Sequence, residues 1–141
     1  MPETKQEQFY AWLAGFIDGD GSIGIYKIGN SHQIRLRASN TSKDIIDYIH
    51  KTIGLGYIAK YKPKKGRKSA YEWIVVSRNA LAVLEQIEPY LKLKKEQASL
   101  VMNYQKTLKN TGHYRIPKPI LLARDKIKNR IAVLNFRGAL T

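Results

Sequence analysis

The sequence predicts an α+β domain built on an antiparallel sheet of four strands. Three observations predict it. The hydrophobic pattern runs helix, hairpin, helix, hairpin and then helices. A chain of 141 residues with 43% apolar and 10% aromatic content is the size of one domain and buries a core without staples. Its longest apolar stretches, such as Ile120 to Ala123, fall far short of the roughly 20 residues that span a bilayer.

The elements follow in order. Thr4 and Glu7 have capping-box spacing, and Phe9, Trp12, Leu13, Phe16 and Ile17 then recur at helical intervals, which predicts a helix of about four turns ending near Asp18 to Gly21. Ala11, Ala14 and Gly15 form a small-residue strip on it that suits close approach of another helix or ordinary core packing. Ser22 to Ile28 and Gln33 to Ala38 read as a hairpin turning at Gly29, Asn30 and Ser31. In its second strand Gln33, Arg35 and Arg37 share one face, and Ile34, Leu36 and Ala38 the other. Thr41 and Asp44 are expected to cap a second helix through Ile45, Ile46, Ile49 and Ile53, stopped by Gly54 and Gly56. A second hairpin, Tyr57 to Tyr61 and Tyr71 to Ser77, carries a basic loop at its tip. Leu81, Leu84 and Ile87 mark a third helix broken at Pro89, and Lys94 to Leu108 a fourth. The single domain thus has a core at about 5–108, a linker at about 109–119 and a last helix at about 120–135.

With 25 Lys and Arg against 11 Asp and Glu, the net charge is +14 and the pI near 10.0, which points to a polyanionic partner. Residues 1–70 hold 12 bases and 6 acids, so the excess is spread over the fold and is not a basic tail. Lys60, Lys62, Lys64, Lys65, Arg67 and Lys68 put six cations into nine residues of the second hairpin, suited to phosphate contact. Zero cysteines excludes a disulfide framework and a thiolate zinc site. The polar start, Met1 to Gln8, has no signal-peptide character, so an intracellular location is expected.

Against this background, two acids stand out. The first helix ends Leu13-Ala14-Gly15-Phe16-Ile17-Asp18-Gly19-Asp20-Gly21, and carboxylates at a helix C-terminus oppose its dipole. Paired acids beside glycines fit an oxygen site for Mg2+, and fit a turn equally well on the residues alone. Leu13 to Gly21 resembles the signature of the LAGLIDADG homing endonucleases, with Phe16 and Gly19 departing from its namesake letters. Ile53-Gly54-Leu55-Gly56-Tyr57-Ile58 and Pro89-Tyr90-Leu91-Lys92-Leu93-Lys94 resemble the same family in order and spacing, so the similarity covers about residues 9–105.

That resemblance implies the αββαββα fold, with extra helices at the C-terminus, and the activity of a Mg2+-dependent, site-specific double-strand DNA endonuclease serving intron mobility. It places the catalytic metal (Mg2+, or Mn2+ or Ca2+ in its stead) on Asp20 and the Gly19 carbonyl, a phosphate-stabilising cation at Lys94, and a polar contact to active-site water at Asn40. One motif per chain implies a homodimer packed through Ala11, Ala14 and Gly15, and a pseudo-palindromic target. The sheet is then the reading surface, with Tyr26, Asn30, Gln33, Arg35, Arg37 and Tyr71 near base edges, and Lys60, Lys62 and Arg67 on bases and phosphates. An intron-RNA maturase or a non-cleaving DNA-binding protein on the same fold is the competing expectation; a small ribosome-associated protein explains the charge but not the motif.

Overall fold

The computed structural model describes residues 4–29, 31–62, 65–66, 68–108 and 118–140, with the side chains of the last helix described through Phe136. Helix α1 (Lys5–Asp20) leads into strands β1 (Gly21–Ile28) and β2 (Ser31–Asn40), helix α2 (Lys43–Ile53), strands β3 (Tyr57–Tyr61) and β4 (Ala70–Val76), and helix α3 (Ser77–Ile87). A 3-10 turn (Glu88–Tyr90) containing Pro89 then separates α3 from α4 (Lys95–Thr107), and α5 (Lys118–Leu140) closes the chain. The expected α+β architecture is present, and the sheet is antiparallel throughout in the order β1-β2-β4-β3.

Local chemistry accounts for the element boundaries. The capping box closes from both sides: Thr4 Oγ1 accepts the Glu7 N–H at 3.0 Å and the Glu7 carboxylate accepts the Thr4 N–H at 3.4 Å. At α2 the cap is Ser42, not Thr41, because the Asn40 side-chain oxygen takes the Ser42 N–H at 2.8 Å and turns the chain one residue later. Gly54 ends α2 in the left-handed conformation, φ +77°, that glycine adopts without strain. Gly56, at φ +86°, lies so close to the Ile74 carbonyl that a Cβ would sit 2.5 Å from it, so the turn into β3 requires glycine twice over.

One face of the sheet is the core. Ile23, Ile34, Leu36, Ala38, Trp73 and Val75 are buried against Leu13, Ala14 and Ile17 of α1, Ile46 and Ile49 of α2, Leu84 and Ile87 of α3, and Ala98 and Val101 of α4. Each Ile, Leu or Val side chain among them stabilises the fold by about 1.5–3 kcal/mol. The Trp73 indole N–H donates to the Leu55 carbonyl at 2.9 Å, so its burial leaves no polar orphan. Helix α5 flanks β1, the outer strand, where Asn135 donates to the Ile23 carbonyl at 3.2 Å and satisfies part of an open sheet edge. No helix among the described residues is long and apolar enough to cross a membrane.

Candidate active site

The site lies where α1 runs into β1. Helix α1 carries apolar side chains on both sides: Phe9, Leu13, Ala14 and Ile17 face the core, while Trp12 and Gly15 are exposed. Burial of the inner side fixes the helix axis and delivers Asp18, Gly19 and Asp20 to the rim of the sheet. Gly21 follows in extended backbone, and a Cβ there would stand 2.7 Å from the Arg37 carbonyl and 2.8 Å from Ile17 Cα, so only glycine lets the helix enter the sheet this tightly.

The two acids have divided their work. The Asp18 carboxylate accepts three successive backbone N–H groups, from Lys92 at 2.7 Å, Leu93 at 3.1 Å and Lys94 at 3.0 Å. Those bonds offset the unfavourable helix dipole, and the Lys94 ammonium adds to them by donating to the Asp18 carbonyl at 2.8 Å. Asp18 is therefore a structural latch between α1 and the turn before α4. Asp20 is different: it is exposed, and among the described residues its carboxylate takes one hydrogen bond, from the Asn40 amide at 3.3 Å. Because Asn40 also accepts from Ser42, its amide is oriented from both ends. The four residues expected at the site, Gly19, Asp20, Asn40 and Lys94, are thus gathered at one end of α1.

Register assigns the strand residues to faces. Direct pairing of Ser22 with Arg37, Gly24 with Arg35, and Tyr26 with Gln33 puts these on the face away from the helices, together with Glu72 and Ile74 of β4 and Tyr57 and Tyr61 of β3. There the expected readers are already joined: Arg37 Nη2 donates to the Tyr26 hydroxyl at 2.8 Å, Arg35 Nε to Gln33 Oε1 at 2.9 Å, and both guanidinium groups lie over the Tyr26 ring at 4.8 and 5.1 Å. Two expected readers lie elsewhere. Asn40 pairs with Tyr71 and Tyr71 with Lys60, and Asn40 belongs to the helix-side series of β2, so parity removes Tyr71 and Lys60 from the open face; they meet each other, ammonium over ring at 5.9 Å. Lys62 is exposed just past β3, whereas Asn30 and Arg67 lie outside the described residues.

The small-residue strip also needs correction. Ala14 is fully buried in the chain's own core and has no surface to offer a second copy. Ala11 is half-buried, and Gly15 and Gly19 are exposed with open space where a Cβ would stand. Sequence reasoning missed Glu72, buried in the open face; the signal was its being the one acid in any of the four strands.

Among the described residues no three His, Cys, Asp or Glu side chains are grouped as a metal site. Asp20 with the Gly19 carbonyl nevertheless forms a hard-oxygen donor pair, exposed and lightly bonded, of the kind a divalent cation takes along with phosphate and water oxygens. A basic, cross-braced sheet face beside such a carboxylate, on an αββαββα core, defines a nucleic-acid endonuclease. The comparisons give that class its family. The family model described as LAGLIDADG endonuclease matches residues 13–110. DNA endonuclease I-CvuI of Chlorella vulgaris is 33% identical over 138 residues, 90% of this chain and 83% of that one, and DNA endonuclease I-CreI of Chlamydomonas reinhardtii is 35% identical over 114 residues, 72% of this chain and 65% of that one. A crystal structure of I-CvuI with its DNA target in 2 mM Ca superposes with a TM-score of 0.74 at 29% identity, over 92% of this chain and 83% of that one. A second, with the I-CreI target in 2 mM Mg and its DNA uncleaved, gives 0.73 over the same shares. The chain belongs to the LAGLIDADG family of DNA homing endonucleases.

Proposed function

We propose that this chain is a divalent-metal-dependent homing endonuclease that cuts both strands of a long pseudo-palindromic DNA site as a homodimer. The observation that carries the reading is the end of α1, where Asp20 is left exposed with Asn40 bonded to it and Lys94 fixed to the same helix end through Asp18. Asp20 and the Gly19 carbonyl would hold Mg2+, which polarises the scissile phosphate and lowers the pKa of attacking water. The chain's own groups do the rest. Lys94, anchored through backbone and side chain to Asp18, offers positive charge to the phosphate as negative charge develops. Asn40 orients the Asp20 carboxylate from the sheet side.

The exposed Asp20 carboxylate at the end of α1 serves one metal centre, completed by phosphate and water oxygens, and a double-strand cut needs two such centres. A second copy supplies the other centre if the exposed side of α1, with Ala11, Gly15 and Gly19, packs on its two-fold mate. Two-fold symmetry then puts one sheet in the major groove of each half-site, where a two-stranded ribbon or wider sheet has room.

The test is cleavage of a randomised duplex library in Mg2+ by wild type and by Asp20→Asn. Wild type is expected to cut one family of related sites and the variant to bind those sites uncut. A wild type that binds one duplex tightly but leaves it intact in Mg2+ and Mn2+ refutes the nuclease assignment, and tight binding to structured intron RNA alone would favour the maturase alternative. A monomer on DNA by sedimentation refutes the two-fold arrangement.

A further inference from the structure

Glu72 is 8% exposed on a face otherwise supplied with cations and hydroxyls. A buried carboxylate is costly unless its lone pairs are used, and here they are. Oε2 accepts the Ser39 hydroxyl at 2.7 Å, Oε1 accepts the Tyr61 hydroxyl at 2.7 Å, and Arg37 Nη1 stands 3.6 Å from Oε1. Ser39 and Arg37 are on β2 and Tyr61 is on β3, the two strands flanking β4, so one side chain ties three strands together. Arg37 carries the connection to β1, through Nε to the Ser22 hydroxyl at 3.2 Å and Nη2 to Tyr26. The resulting chain of contacts crosses the whole sheet.

This brace sorts the polar side chains of the face into two kinds. Arg37 is held from three directions and stacked on Tyr26. Hydrogen bonding to Glu72, and then burial, raises the Tyr61 hydroxyl above its ordinary pKa of 10.0 and keeps it a donor to that carboxylate. Arg35 lies over the Tyr26 ring and is hydrogen-bonded through Nε, and no hydrogen bond among the described residues occupies its two terminal nitrogens, the pair that matches guanine O6 and N7. Gln33 gives its oxygen to Arg35 and keeps its amide N–H groups.

We infer that Glu72 is a specificity-determining positioning residue: its carboxylate locks Arg37, Tyr26 and Tyr61 into a fixed platform from which Arg35 and Gln33 read base edges. Its negative charge has a second effect, since it weakens sequence-independent attraction of phosphates to the same face and widens the gap between specific and non-specific binding. The inference rests on the reading that this face takes duplex DNA.

The experiment is selection from a randomised duplex library by the full chain in Ca2+, with wild type, Glu72→Gln, Tyr61→Phe and the double variant. Base preferences, Kd for selected and scrambled duplexes, and Tm are measured for each. Glu72→Gln is expected to lower the ratio of scrambled to selected Kd by about tenfold, through tighter scrambled binding and lost preference confined to neighbouring base pairs. Tyr61→Phe should act a few-fold in the same direction, and the double variant no further than Glu72→Gln, because both substitutions cut the same brace. A lowered Tm with an unchanged preference profile makes Glu72 structural only and overturns the inference. Should Glu72→Gln fail to fold, Tyr61→Phe decides: an unchanged profile overturns the inference and a shifted one upholds it. A wild type that selects no sequence fails at the level of DNA reading itself, before any variant is compared.

Discussion

The end of α1 and the open face of the sheet each place acid in a strongly basic chain, and they treat it in opposite ways. On the open face, Glu72 is buried and its oxygens are spent on Ser39, Tyr61 and Arg37. At the helix end, Asp18 is spent on three backbone N–H groups, but Asp20, two residues on, keeps one long bond from Asn40 and faces solvent. Sequence position says little about such a difference. An acid whose lone pairs the protein satisfies is part of the scaffold, and an acid left exposed with a single long bond from an amide has lone pairs open to solvent or to a ligand.

The largest expected effect breaks the comparison at Asp20. Asp20→Asn should lower the single-turnover cleavage rate on the order of 10³-fold while the Kd for target DNA in Ca2+ stays within a few-fold; equal cleavage by the two proteins would mean that Asp20 is scaffold after all. Asp18→Asn comes next. Weakening its hold on three N–H groups should cost about 2 kcal/mol of stability and about tenfold in cleavage rate as the turn carrying Lys94 loosens against α1 while the ammonium keeps the Asp18 carbonyl, measured by Tm and by single-turnover kinetics. Arg35→Ala should remove about 1–3 kcal/mol of discrimination at one base pair, whereas Arg37→Ala should blur several positions weakly and lower Tm as well. Matching profiles for the two variants would erase the distinction between reader and platform.

The smallest effect is at His32, on the helix side of the first hairpin. Burial, and then Lys128 and Lys27, hold its pKa below the ordinary 6.5, against a weaker pull from Asp125. The folded state therefore prefers neutral imidazole, so this contribution to stability is complete above pH 6.5 and is lost as pH falls through that value toward the lower folded pKa. Tm should drop on acidification below 6.5, and His32→Gln should flatten the drop; an unaltered slope would place the acid sensitivity elsewhere.

Much of this was legible in the residues. Apolar spacing gave the order of the elements, and the incongruity of Asp18 and Asp20 in a +14 chain drew attention to the end of α1, though the residues alone fitted a turn as well as a metal site and the resemblance of Leu13 to Gly21 decided between them. Parity in the first hairpin was also readable, since Gln33, Arg35 and Arg37 alternate with Ile34, Leu36 and Ala38. The second hairpin was not. Its connection is long, so turn chemistry cannot set the register, and Ala70 to Val76 is apolar on both faces apart from Glu72. That is why Lys60 and Tyr71 were expected on the wrong side. Ala14 illustrates a related limit: a small residue on a helix that is apolar on both sides suits an own-chain contact and a partner contact equally. The Asp18 latch depends on N–H groups more than 70 residues away, and no local pattern announces it.

The length of β2 has its own consequence. Ten residues of antiparallel strand measure about 34 Å, close to one turn of B-DNA. In the proposed complex, with the sheet laid along the major groove of one half-site, β2 would act as a ruler of somewhat less than one turn, because a groove winds round the axis, and a two-fold mate would double the span. The span surveyed would then be set by where Asn40 and Ser31 end the strand, and substitutions among the proposed readers would change which bases are accepted within that span but not how long it is.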